Sequence, residues 1–277
     1  VLGHRALARD APMLLLGLLF HDCLEKGRPL LEGGARYVGG TLETYGNISA
    51  SDSLAAIRDV VYERKALTPG RLREALRADF EGFERERSLL LQVPKYGNDD
   101  DRADARAVRV HEHVCRATAA QAGRFGLHSY LVVIINNHAN SVLGRHTGAS
   151  ADGRRAGEPM SNANNPPSGN DRSGVTAFLR SLLRLDPSIH AGAVQNLKFG
   201  KEMFGPRRPR LEALLDTYFE EGGAQAMITV VGREDLEAAV REPEKWGHLM
   251  VRVGGFSARF VDLSPTVQRE ILERTLN

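Results

Sequence analysis

Two adjacent glycines near the end of the chain have a type and a setting that could support unusual chemistry. Gly254 and Gly255 lie within residues 250–260, whose sequence is Met-Val-Arg-Val-Gly-Gly-Phe-Ser-Ala-Arg-Phe. A glycine pair between such apolar runs is typical of a β-hairpin with a tight turn. A second interpretation stays open, because a radical on a glycine Cα is uncrowded, planar and delocalised onto the flanking amides. Gly255 could therefore store an unpaired electron as well as shape a turn.

Other clusters of reactive residue types are weaker. His111, His113 and Cys115 could bind a metal, but on a helix at most two of them share a face, so we predict no metal site. The glycine-rich stretch 32–40 lacks the spacing of a dinucleotide-binding loop. Residues 152–159 carry two arginines that could bind a carboxylate, although their composition favours a surface turn.

Composition and charge limit the class of protein. The chain has 277 residues, 42% of them hydrophobic, which is enough for one large or two modest domains. Its 37 basic and 35 acidic residues are interspersed, so we expect no nucleic-acid partner. Two cysteines, Cys23 and Cys115, are typical of a reducing interior and not of a disulfide framework. We therefore expect a cytoplasmic protein.

An apolar stretch near the start of the chain predicts a buried helix from Ala11 to Lys26. Its longest apolar run, residues 13–20, is shorter than the ~20 residues that cross a bilayer. No small-residue cleavage site follows it, so we expect neither a membrane segment nor a signal peptide. The chain begins with Val and not Met, which suggests a piece of a longer polypeptide.

The remaining elements follow from caps and hydrophobic periodicity. Helices are predicted after Asp52 and Thr68-Pro69, over 102–123, 175–185, 211–222 and 234–241, and from Ser264-Pro265 to 276. Strands are predicted at 129–135 and 226–231, with a long loop over 136–173 between them. Buried strands separated by helices indicate an α/β barrel or part of one.

Five segments, taken together and in order, resemble the glycyl radical enzymes of the pyruvate formate-lyase superfamily. The last of them, Arg-Val-Gly-Gly-Phe-Ser at 252–257, is similar to the usual Arg-Val-x-Gly-Tyr-Ser, with Phe256 in place of Tyr and Gly254 in place of a small Ser, Ala or Cys. The other four are Gly-Gly-Ala-Arg-Tyr at 33–37, Asp-Ser-Leu-Ala-Ala-Ile at 52–57, Pro-Lys-Tyr-Gly-Asn-Asp-Asp-Asp at 94–101 and Thr-Gly-Ala-Ser-Ala-Asp-Gly-Arg-Arg-Ala-Gly-Glu-Pro at 147–159.

This resemblance implies a fold and a division of the chain. The fold would be the helix-rich C-terminal part of a ten-stranded α/β barrel that holds the glycyl radical loop. Residues 1–158 would belong to the pyruvate formate-lyase-like barrel domain, and residues 159–277 would form the glycine radical domain.

The resemblance also implies a site and its partners. Gly255 would carry the radical, and Arg252, Val253, Gly254, Phe256 and Ser257 would hold its loop. The mature enzyme would bind no cofactor. A separate activating enzyme, using S-adenosylmethionine and an iron–sulfur cluster, would remove a hydrogen from Gly255. The radical would then oxidise a cysteine, which attacks a small-molecule substrate.

The cysteine that the resemblance requires has no counterpart in this sequence. In the family it lies upstream of the segment that matches residues 33–37, and neither Cys23 nor Cys115 has a matching context. We therefore expect the chain to be inactive alone. A homodimer, or a partner chain that carries the cysteine loop, is expected.

The expected reaction is radical cleavage of a C–C, C–O or C–N bond in a small anaerobic metabolite. It could be a formate acetyltransferase-like transfer or a dehydratase or lyase reaction, and residues 256–263 are somewhat more similar to the eliminases and dehydratases. Two alternatives stay open. The chain could be a non-catalytic radical-domain subunit or spare part that completes a partner, or a binding module in which the two glycines only form a turn. The sequence does not identify the substrate.

Overall fold

The computed structural model describes residues 2–273, which form a helix-rich α/β structure. The α-helices are α1 Leu2–Asp10, α2 Leu14–Gly17, α3 Cys23–Lys26, α4 Asn47–Ile57, α5 Pro69–Arg77, α6 Glu84–Leu91, α7 Asp101–Ala119, α8 Ala139–Gly144, α9 Val175–Leu183, α10 Arg208–Glu220, α11 Arg233–Arg241 and α12 Pro265–Glu273. The strands are β1 Gly39–Glu43, β2 Ser129–Ile134, β3 Gly192–Ala193, β4 Asn196–Phe199, β5 Met227–Val230, β6 Met250–Arg252 and β7 Ser257–Arg259. None of their sheets closes into a barrel within residues 2–273.

The chain divides into two compact units. The first comprises the residues up to Leu42 together with His113–Val133 and Ile189–Ala191. The second comprises Glu43–Glu112, Ile134–Ser188 and the residues from Gly192 onward. In residues 2–273, no helix has both the length and the apolar composition needed to cross a bilayer.

The first unit contains a predicted helix that is wrong. Residues 11–26 form only the short helices α2 and α3, and Met13 and Asp22 before them have left-handed backbone angles, with φ of 48° and 76°. The predicted burial is wrong as well, since Leu15 and Leu19 are 81% and 80% exposed. An apolar helix is stable when its stripe packs on a core, and these leucines find little apolar surface within the unit.

The second unit contains most of the buried apolar side chains, in three clusters. One cluster packs α9, β4 and α10 around Phe178, Phe199 and Leu211. Another packs α4 to α6 around Val60, Phe80 and Leu90. A third packs α11, β6 and α12; its buried members are Val231, Leu236, Ala239, Val251, Val253, Phe260, Val267 and Ile271.

Local signals correctly predict several elements of the second unit. The side chain of Thr68 accepts a hydrogen bond from the backbone N–H of Arg71 at 3.1 Å, and Pro69 occupies the first turn of α5, as the cap-then-proline rule predicts. The predicted strand at 226–231 is β5, and the predicted hairpin at 250–260 is β6 and β7. The predicted terminal helix is α12, and its last predicted residues, 274–276, lie outside the described residues.

Strand β4, which pairs in parallel with β5, is absent from the predicted elements. All four of its residues are buried, so it lacks the alternation that indicates a half-buried strand. It also contains Lys198, whose ammonium group lies 3.3 Å from the carbonyl oxygen of Ile271 and 3.2 Å from that of Leu272. A buried lysine in a four-residue strand is a poor strand signal, because lysine is seldom fully buried unless it is paired.

Candidate functional site

The glycine pair forms the turn of the hairpin between β6 and β7. Arg252 lies opposite Ser257 in the register, and the N–H of Val253 donates to the carbonyl oxygen of Phe256 at 3.0 Å. Gly255 has a φ of +95°, whereas Gly254 does not have a positive φ. A positive φ of this size lies in the left-handed region, which glycine adopts without steric cost. Gly255 is therefore the residue whose backbone angle requires glycine.

Gly254 is required for a different reason, which is close backbone approach. A Cβ added to Gly254 would lie 2.8 Å from the Cα of Asn137 and 2.9 Å from its carbonyl oxygen. Real Cβ atoms do not approach backbone atoms so closely, so the hairpin could not rest on Asn137 with any side chain at position 254. This contact gives a physical reason for glycine at position 254 of this chain.

The segment under the turn is an unusual pair of asparagines that follows β2. Asn136 and Asn137 both have left-handed angles, with φ of 67° and 45°. Asn136 is buried: its Nδ2 donates to the carbonyl oxygen of Thr44 at 2.7 Å, and its Oδ1 accepts from the N–H of Ala163 at 2.6 Å. This pair is not among the predicted site residues, although two asparagines shortly after a strand are a signal for left-handed backbone.

The flanks of the turn are anchored on the apolar core and by two polar contacts. Val253 is buried in the cluster around α11 and α12. The N–H of Arg252 donates to Thr229 Oγ1 at 3.1 Å, and its guanidinium donates to Ser257 Oγ at 2.9 Å across the hairpin. Gly255 and Ser257 are exposed, and Phe256 is 44% exposed. The predicted loop residues therefore occupy one hairpin, with its base buried and its tip accessible.

The segment 152–159 has a structural role in the second unit. The Arg154 side chain is buried and donates to the carbonyl oxygen of Glu158 at 2.7 Å, to that of Gly148, and to Ser150 Oγ at 3.1 Å. Arg155 donates to the carbonyl oxygen of Asp79 at 2.6 Å. These guanidinium groups bind the chain's own carbonyl oxygens, so they organise the loop itself.

Three of the motif segments meet in space at one junction. Asp52 Oδ1 accepts a hydrogen bond from the backbone N–H of Tyr96 at 3.0 Å, and Ser53 Oγ accepts one from the N–H of Asp152 at 3.1 Å. Side-chain oxygens of the segment 52–57, one carboxylate and one hydroxyl, thus accept hydrogen bonds from backbone N–H groups of the segments 94–101 and 147–159. Burial raises the pKa of Asp52 to about 7.

The weaker candidates do not form a further site. His111 is buried, with its Nε2 3.0 Å from the carbonyl oxygen of Asp186, and burial lowers its pKa. Within residues 2–273, no three His, Cys, Asp or Glu side chains are grouped to hold a metal ion. Cys23 and Cys115 are buried and form no disulfide in the described part of the chain.

The contact under the turn predicts the effect of replacing Gly254. Gly254→Ala should force the hairpin away from Asn137 and lower the free energy of unfolding by about 1–3 kcal/mol, the usual cost of overpacking. Gly247→Ala is the control, because an added Cβ there would meet nothing within 4 Å. Urea unfolding of both variants measures the difference, and equal stabilities would contradict a close contact at Gly254.

Comparisons with known proteins identify the family. Residues 1–140 match the pyruvate formate lyase-like family, and residues 160–261 match the glycine radical family. The chain is 32% identical to (2S)-3-sulfopropanediol dehydratase of Klebsiella oxytoca, over 99% of this chain and 34% of the relative. It is 31% identical to trans-4-hydroxy-L-proline dehydratase of Clostridioides difficile, over 97% of this chain and 34% of the relative. The chain therefore spans about a third of the length of these curated relatives.

Solved structures give the same result. The B12-independent glycerol dehydratase of Clostridium butyricum superposes with a TM-score of 0.94 and 32% identity, over 99% of this chain and 35% of that one. A glycyl radical enzyme from Archaeoglobus fulgidus superposes with a TM-score of 0.92 and 35% identity, over 98% and 35%. The predicted fold, part of a glycyl radical enzyme barrel, is thus confirmed. The chain belongs to the glycyl radical enzymes of the pyruvate formate lyase-like family.

Proposed function

We propose that the chain is the radical-storing part of a glycyl radical dehydratase or lyase, with the radical on Gly255. The observation that carries this proposal is the backbone of Gly255 at the turn of a hairpin whose base is buried. Its φ of +95° is suited to glycine, and the buried base of the hairpin fixes the position of its Cα–H bonds. Arg252, Val253, Gly254, Phe256 and Ser257 hold the turn around it.

Elimination is the reaction class that we propose, in preference to acetyl transfer. The relatives named above are dehydratases, and a 32% identical relative from Nitratidesulfovibrio vulgaris is an isethionate sulfite-lyase. The structural neighbour from Clostridium butyricum is a glycerol dehydratase. By analogy, the substrate would be a small hydroxylated metabolite that loses water, or another leaving group, from the carbon beside a radical.

The proposal includes partners that the complete enzyme needs. A radical S-adenosylmethionine enzyme with an iron–sulfur cluster would remove hydrogen from Gly255, and the mature enzyme would bind no further cofactor. The cysteine that attacks the substrate would come from polypeptide outside the sequence described here or from a partner chain. The enzyme would be a homodimer or a complex with that partner chain. The buried thiols of Cys23 and Cys115, which form no disulfide within residues 2–273, fit the reducing cytoplasm in which such an enzyme would work. No observation favours the spare-part alternative over this proposal.

Exposure of the activated protein to air tests the proposal directly. Oxygen cleaves the backbone at a glycyl radical, so intact-mass spectrometry of anaerobically purified protein should show, after air exposure, a C-terminal peptide that starts at or just after Gly255. Protein that has not been activated is the control and should stay intact. An activated sample that shows neither the peptide nor a glycyl signal in electron paramagnetic resonance would refute storage of the radical on Gly255.

A further inference from the structure

A buried methionine lies directly under the peptide group of Gly255. The N–H of Gly255 donates to the Sδ atom of Met227 at 3.3 Å. Met227 is 4% exposed and is the first residue of β5, which is held in parallel register against the fully buried β4. The thioether is thus fixed by the core, while the glycine that it contacts is exposed at the hairpin tip.

The chemistry of a thioether suits an acceptor beside a backbone radical. A glycine Cα radical is stabilised when the amide nitrogen donates electron density into the half-filled orbital, and this donation requires the N–H, the Cα and the carbonyl to be coplanar. Gly255 has a φ of +95° in the structure, so the chain on the carbonyl side of its Cα must rotate when the radical forms. An acceptor on the N–H can stay bonded during this rotation, and it increases the electron density on nitrogen. Sulfur is a weak but polarisable acceptor, and a thioether has no O–H or S–H hydrogen that could reduce the radical.

The side-chain atoms nearest to Gly255 also belong to groups without an O–H or S–H hydrogen. The nearest atoms to a Cβ position on Gly255 are Ile135 Cγ2 at 3.6 Å and Asn137 Oδ1 at 4.0 Å. The first is a methyl group, and the second is an amide oxygen, which accepts hydrogen bonds but carries no hydrogen. The side of Gly255 that faces the protein is therefore formed by groups that do not readily give up a hydrogen atom.

We propose that Met227 is a positioning residue for the radical on Gly255. Its sulfur accepts the Gly255 N–H, increases the electron density on the amide nitrogen and offers the radical no O–H or S–H hydrogen, so that the radical persists between turnovers. This inference rests on the proposed function for its consequence, but the contact itself can be measured in protein that carries no radical.

Two substitutions at position 227 separate the hydrogen bond from the packing. Met227→Leu removes the acceptor and keeps the apolar volume, a swap that cores tolerate well. Met227→Gln restores an acceptor. Met250→Leu is the matched control, since Met250 lies on the same hairpin and is 51% exposed. Hydrogen exchange of the Gly255 amide is measured by mass spectrometry before activation, and the half-life of the radical is measured anaerobically by electron paramagnetic resonance after activation.

We expect Met227→Leu to speed exchange at Gly255 by about 2- to 10-fold, the range for one hydrogen bond, and to shorten the radical half-life by at least about 2-fold. Met227→Gln should restore both values, and Met250→Leu should change neither. Unchanged exchange in Met227→Leu would refute the contact. If the radical forms and its half-life is the same in the wild type and in Met227→Leu, only the role of Met227 is refuted. Absence of any radical in the activated wild-type protein would instead overturn the proposed function.

Discussion

Replacing Gly255 by alanine is expected to abolish the radical and all turnover of the enzyme that contains this chain. Alanine fits the space, because its Cβ would meet no atom nearer than 3.6 Å, but a φ of +95° is unfavourable for an L-residue. The backbone strain should cost about 1–2 kcal/mol, which a folded domain survives. The radical is lost for another reason: the methyl group crowds a planar Cα and blocks hydrogen removal from that side.

A substitution at a second glycine, Gly222, separates the loss of stability from the loss of the radical. Gly222 has a φ of +99°, and an added Cβ would meet nothing within 4 Å, so Gly222→Ala should lose a similar amount of stability. It lies outside the hairpin, so its radical signal and its cleavage by air should match the wild type. Electron paramagnetic resonance and urea unfolding of both variants give the comparison. A radical signal in Gly255→Ala would show that the electron resides on another residue.

Replacing Asp52 by asparagine is expected to remove much of the pH dependence of stability. Asp52 is fully buried, and burial, with smaller contributions from Asp152 and Asp104, raises its pKa from 3.8 to about 7. Its Oδ2 has no hydrogen-bond partner within the described residues. Folding therefore favours the protonated acid, and ionisation of Asp52 lowers the free energy of unfolding.

The sign of the effect follows from the direction of the pKa shift. The stabilising contribution of Asp52 is complete below the unfolded pKa near 3.8 and is lost as the pH rises through about 7. Between about pH 5 and about pH 8, the free energy of unfolding of the wild type should fall by about 2–3 kcal/mol from this group. Asp104, whose pKa burial raises to about 6, acts in the same direction and would remain in Asp52→Asn.

Urea unfolding at several pH values measures this slope. Asp52→Asn keeps an oxygen that can accept from the Tyr96 N–H and should flatten the decline between about pH 5 and about pH 8. Asp100→Asn is the control, because a hydrogen bond from Arg102 lowers the pKa of Asp100, and its contribution changes only under more acidic conditions. A slope in Asp52→Asn as steep as that of the wild type would show that Asp52 is ionised in the folded protein at low pH.

The sequence alone determined the features that depend on local backbone preference. Two glycines between apolar runs specify a hairpin whatever surrounds it, and Thr68-Pro69 specifies a helix start, because caps and turns are satisfied by residues close in the chain. The order of five short segments was sufficient to indicate the family, since each preserves a local motif.

Only the tertiary structure decided how each glycine is used and which groups are buried. The close approach of Asn137 explains Gly254, and the thioether of Met227 lies 28 residues from the amide that it contacts. The burial of Asp52 depends on segments far apart in the chain, as does that of strand β4 with its lysine. The apolar run at 11–26 shows the converse, since its leucines are exposed although their composition predicts a core helix. Burial is a property of what packs against a residue, and that is set by contacts between distant segments.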